Sequence, residues 1–103
     1  MKLGQVTGLV ISTQKDEGLE GFKLLLVQEL GLNDLKPLSA YLVALDTVGA
    51  GAGDVVLTVT GSSARFAATL RDRPVDAAII GIVDQIEIDG KLIYAKPPAV
   101  ARR

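Results

Sequence analysis

The chain contains no histidine and no cysteine. The first absence removes the commonest metal ligand and the usual general base near neutral pH. The second removes disulfides, thiol nucleophiles and thiolate metal sites. Tryptophan is also missing, and the aromatics are reduced to Phe22, Tyr41, Phe66 and Tyr94. Four scattered rings do not make a stacking platform for single-stranded nucleic acid, which also requires a basic groove; core packing is the expected use of most of them. Charge of one sign is lacking too: 11 basic and 12 acidic residues leave a net charge of −1, with no long like-charge run. Nucleic-acid affinity comes mainly from clustered Lys and Arg, so nucleic acid is not an expected partner. The longest apolar run, Ala77 to Val83, is seven residues, far below the ~18 of a membrane span. The N-terminus enters a strand pattern without signal-peptide architecture, and the expected setting is the cytoplasm.

What the chain has instead is aliphatic and small. Hydrophobic residues make up 49% of its 103 residues, and there are 11 glycines besides, a combined share above the ~45–50% of ordinary domains. One domain of this length buries only about 65% of its unfolded surface. Part of the apolar excess therefore reaches the surface, where contiguous patches mark interfaces. An oligomer is expected.

Taken in order, Lys2 to Ser12 predicts a strand, with Gly4 and Gly8 on the face of Val6 and Val10. Glycine within a strand marks a bend or a close backbone approach. Thr13 to Gly21 reads as a hairpin loop, and Phe22 to Leu30 as a strand apolar on both faces, hence covered on both sides. Asn33 and Asp34 form a turn within Gly31 to Pro37. Ser39 to Thr47 is the third strand, Val48 to Gly53 a glycine loop and Asp54 to Thr60 the fourth strand. A short helix is expected over Ser63 to Leu70, with Ser62 as N-cap, Phe66 and Leu70 on one face, and Arg71 at its negative end. Val75 to Ile88 reads as the longest strand, and Asp89-Gly90 as a hairpin turn that returns Lys91 to Ala95. The fold class is mainly β: a small OB-like barrel, closed or partly open, of five to six strands with one short helix. Residues 1–96 form the barrel domain and 97–103 a C-terminal tail.

Three candidate chemistries fail on their residues. Gly49 to Gly53 is GxGxG; it has no P-loop Lys-Ser/Thr and leads into a strand, whereas nucleotide loops open a helix. Asp46, Asp54, Asp76 and Asp84 each flank a turn or a strand end, where Asp caps backbone groups. Ser62 and Ser63 lack a base, because the neighbouring Arg65 stays protonated. Arg65 is suited instead to holding a carboxylate in its bidentate fork, with Asp46, Asp54 and Asp76 as candidate partners. No catalytic residue, metal or cofactor is expected.

DTVGAG at Asp46 to Gly51, a strand, GSSAR at Gly61 to Arg65 and then PVDAAIIGIVD at Pro74 to Asp84 occur in that order. Together they resemble the vertex proteins of bacterial microcompartments, the EutN/CcmL family, from Lys2 to about Ala95. The resemblance implies a homopentamer at the fivefold vertices of an icosahedral protein shell, carboxysome or metabolosome, beside hexameric shell proteins. It also implies that Gly49, Ala50, Gly51, Gly61, Ser62, Ser63 and Arg65 are interface or pore-lining candidates. The alternative from another class is an OB-like binding module for peptide or nucleic acid.

Overall fold

The computed structural model describes residues 1–69 and 74–98. Five strands close into a barrel: β1 (Lys2–Val10), β2 (Leu24–Leu30), β3 (Pro37–Asp46), β4 (Val55–Thr60) and β5 (Ala77–Ile82), in the order β1-β2-β3-β5-β4. All neighbours are antiparallel except β3 and β5, which run parallel through Leu45–Ala78 and Asp46–Ile79. β4 closes the barrel on β1 from Lys2–Thr58 to Gln5–Val55. Closure removes the sheet edges that would otherwise invite mispairing.

The period of two decides which side chains go inside. Val6, Leu25, Val27, Ala44, Val56 and Ile79 fill the interior. Val27, Val56 and Ile79 are fully buried, and each contributes about 1.5–3 kcal/mol by leaving water. Gly4 lies directly over this core: a Cβ there would collide with the Val27 side chain and lie 3.1 Å from the Gln28 carbonyl oxygen. The close approach expected of a strand glycine is real at Gly4. Three residues on, Thr7 is the extra residue of a bulge, with Val6 facing Val27 and Gly8 facing Leu26.

The strands read as apolar on both faces are covered a second time within the same subunit. Leu45, Ala64, Val75 and Ala78 form a second cluster outside the barrel, packed by Leu19, Phe22, Leu24 and Val59. Leu19 ends a short 3₁₀ turn, Glu17–Leu19, whose first N–H groups are capped by Asp16: its Oδ1 accepts from the Gly18 N–H at 2.8 Å. Ala64 comes from the segment expected to be an α-helix over 63–70. That segment is a 3₁₀ helix and begins earlier, at Gly61–Thr69. Gly61, at φ +67°, turns the chain off β4 without a capping side chain, so Ser62 sits inside the helix and caps nothing. In a 3₁₀ helix residues three apart eclipse, and Ala64 and Ala67 accordingly pack on the second cluster. Phe66 faces out, 72% exposed, and Tyr41 is 54% exposed; only Phe22 and Tyr94 of the four aromatics are drawn in. The expected partners Leu70 and Arg71 lie outside the described residues, as do tail residues 99–103.

The long strand expected over 75–88 is two strands. The Val83 N–H donates to the Val55 carbonyl at 2.8 Å, and there the chain leaves the barrel. β6 (Gln85–Ile88) and β7 (Lys91–Ala95) then form a separate two-stranded sheet. The predicted turn at its tip is present, with Asp89 at φ +52° and Gly90 at φ +77°, the left-handed pair of a type I′ hairpin. The Lys96 N–H closes the base on the Asp84 carbonyl at 2.7 Å.

Candidate functional site

The glycine loop between β3 and β4 is held from inside the subunit. At its start, Asp46 Oδ1 accepts from the Val48 N–H at 3.1 Å, and the Thr47 hydroxyl donates to the Ile79 carbonyl at 2.7 Å. At its end, Asp54 Oδ2 accepts from the Gly51 N–H at 2.8 Å. The Gly53 N–H donates to the Val6 carbonyl at 2.9 Å, and the Gln5 amide to the Gly53 carbonyl at 3.2 Å. In the middle, Lys23 Nζ donates to the Ala50 carbonyl at 2.8 Å and stands 3.7 Å from Asp46 Oδ2. Asp46 and Asp54 are buried, which fits carboxylates committed to backbone N–H groups. Gly49 and Gly53 turn at φ +78° and +85°, a region that side chains rarely adopt.

This wiring decides what the loop can do. Three of its N–H groups, on Val48, Gly51 and Gly53, donate to the subunit's own carboxylates and carbonyl. They are therefore unavailable to a phosphate, and the loop is not a nucleotide cradle. Replacing Asp54 with alanine is expected to remove a buried acceptor and cost about 1–3 kcal/mol. In a chain this size the midpoint of thermal unfolding should fall by roughly 5–20 °C, read by circular dichroism.

The sequence-predicted residues fall into two separate places. Ala50 is fully buried in the barrel core, and the loop's surface is made by Val48, Gly49, Ala52 and Gly53, with Gly51 half-buried. Gly61, Ser62, Ser63 and Arg65 are exposed at the start of the 3₁₀ helix, where the Gly61 N–H donates to the Asp76 carbonyl at 2.7 Å. The glycine loop precedes β4 and Gly61 follows it, so the two motifs lie about 17 Å apart along that strand. Asp46 is taken by Lys23 and Asp54 by Gly51, and among the described residues Arg65 makes no ion pair. Within the subunit Arg65 therefore pairs with none of Asp46, Asp54 and Asp76. Lys23 was the residue that sequence reasoning passed over; the only signal was a lone cation at the mouth of an apolar strand. Among the described residues no group of three His, Cys, Asp or Glu side chains could hold a metal ion, and no helix is long and apolar enough to cross a membrane.

Fold and site together define a small OB-like barrel subunit with an internally locked glycine loop, an exposed Ser-Ser-Ala-Arg corner and a projecting hairpin. The chain belongs to the family described as ethanolamine utilisation protein EutN/carboxysome, whose model matches residues 1–84. It is similar to the solved structure of Gloeobacter violaceus CcmL, with 44% identity and a TM-score of 0.87 over 93% of this chain and 98% of that one. It is 43% identical to the bacterial microcompartment shell vertex protein EutN of Salmonella typhimurium, over 93% of this chain and 96% of that protein. It also resembles GrpN of Rhodospirillum rubrum, a pentameric microcompartment shell protein, with 46% identity and a TM-score of 0.74 over 85% of this chain and 98% of that one.

Proposed function

We propose that this chain is a structural subunit of a bacterial microcompartment shell, in the cytoplasm, that closes into a homopentamer at the shell's fivefold vertices. Its neighbours there are hexameric shell proteins, and it carries out no catalysis and takes no cofactor. The observation that carries this reading is the 46% identity to a pentameric shell protein across most of both chains. The residues support it independently. The glycine loop spends its donors inward, no side chain supplies a base next to Ser62, and the apolar excess has surface to cover. The alternative of an OB-like nucleic-acid module loses ground on the charge balance of −1 and on a sequence without a long run of basic residues.

Within the ring, Gly49 and Gly51 on one side of β4 and Gly61, Ser62, Ser63 and Arg65 on the other serve contacts between subunits, with Ser62 and Ser63 toward the axis. Small uncharged residues converge fivefold without repulsion, whereas like charges ~4 Å apart cost about 4 kcal/mol per pair at an effective dielectric of 20. The chain has no native cysteine, so Ser62→Cys tests this directly. Oxidation should give disulfide-linked dimers within the ring, since a disulfide needs Cα atoms within ~7 Å. Intact rings whose thiols stay free under oxidant would place Ser62 away from the axis.

A further inference from the structure

We infer that the β6–β7 hairpin is an intersubunit arm that seats in a groove, lined by aliphatic side chains and Asp76, on the outer face of β2 and β3 of the next copy in the ring. The inference rests on the homopentamer proposed above and adds to it which two surfaces close the ring.

The arm stands apart from the barrel sheet. Its strands of four and five residues pair only with each other. A two-stranded hairpin is at best marginally stable in water and needs a third strand or a packed face. This one presents Leu92, 54% exposed, and Ile93 beside it. The register passes from Ile86–Tyr94 to Glu87–Leu92, leaving Ile93 as the extra residue of a bulge, a device that re-aims side chains. Two adjacent aliphatic residues are thereby offered to something outside the subunit.

The groove is the matching surface. It holds about 230 Å³; Leu24, Val43, Leu45 and Val75 are among its lining residues, and Asp76 adds a carboxylate to them. It continues the second hydrophobic cluster through Leu45 and Val75, with Val43 left 47% exposed. The chain's own arm is rooted at the other end of β5. Ala77, in the groove wall, begins that strand, and Ile82, before the arm, ends it, about 17 Å away.

A cyclic ring needs two different patches that meet head to tail. Arm and groove are two such patches, at opposite ends of one strand. The same head-to-tail contact brings the two sequence motifs together. The arm root shares the glycine-loop end of β4 through the Val83–Val55 hydrogen bond. The groove shares the Gly61 end, where Thr60 pairs with Ala77. Across the interface the glycine loop of one subunit then approaches the Gly61–Arg65 corner of the next, although within one subunit the motifs are far apart.

Two measurements test this. A Leu92→Cys, Val43→Cys double variant treated with a short bis-maleimide should give a covalent ladder on a denaturing gel, ending at five chains, while neither single variant gives one. Leu92→Asp and Ile93→Asp should each lower the pentamer population at micromolar concentration at least about tenfold by native mass spectrometry, with barrel unfolding by circular dichroism matching that of a dissociated wild-type subunit. Wild-type rings together with no ladder and undiminished rings in both aspartate variants would overturn the arm while leaving the pentamer standing. A monomeric wild type would overturn both.

Discussion

Gly51→Leu is expected to leave the barrel folded and to abolish the ring. Gly51 sits between two glycines that turn at positive φ, but its own φ is not in that region. A Cβ added there meets only Asp54 Oδ2, at an ordinary 3.9 Å. Neither backbone strain nor crowding inside the subunit therefore requires glycine at this position. In the proposed ring, a large side chain here would meet the neighbouring subunit. Overpacking a close contact costs about 1–3 kcal/mol, and in a closed ring that cost recurs at every interface. Five such penalties amount to roughly 5–15 kcal/mol, enough to shift assembly to free subunits at micromolar concentration. The unfolding midpoint of the variant subunit should meanwhile stay close to that of a dissociated wild-type subunit. A variant that unfolds early yet still forms rings would mean that the glycine serves the turn and not the neighbour.

Gly4→Ala is expected to do the reverse and strike the subunit itself. The new methyl would collide with Val27, which is fully buried in the centre of the barrel, and would press on the Gln28 carbonyl oxygen at 3.1 Å. Neither neighbour can swing away, since one is packed on all sides and the other is backbone in the β1–β2 ladder. A cost of about 3 kcal/mol follows from overpacking, which lowers the melting midpoint by roughly 10–20 °C in a domain of this size. Gly8→Ala is the control. Its Cβ would touch the Leu26 Cβ at 3.5 Å, ordinary van der Waals contact, and the melting curve should barely move. Equal destabilisation at both positions would show that the cost comes from glycine's place in the bulged strand and not from the Val27 collision.

The barrel was legible because its signals are local. Short aliphatic segments mark β1 to β5, glycines and aspartates mark the turns, and Asp89-Gly90 marks the arm's tip. The break at Val83 was not legible. Ile86 and Ile88 carry the alternation on past the point where the chain leaves the barrel, and only the Val83–Val55 hydrogen bond marks the departure. The helix at Gly61 misled in a different way. Phe66 and Leu70 suggest a face four residues apart, but the helix is 3₁₀ and buries Ala64 and Ala67, three apart. Phe66 itself faces out, 72% exposed. At the site, the sequence picked out the glycine loop and its flanking aspartates but not Lys23, which crosses from β2's entry to hold Ala50. A pairing over 27 residues leaves no periodic trace.

The central claim is a closed ring of five, and native mass spectrometry of the wild-type chain tests it most directly. One species at five times the 10.8 kDa chain mass is the expected result at micromolar concentration. A monodisperse species at the mass of a single chain would contradict it.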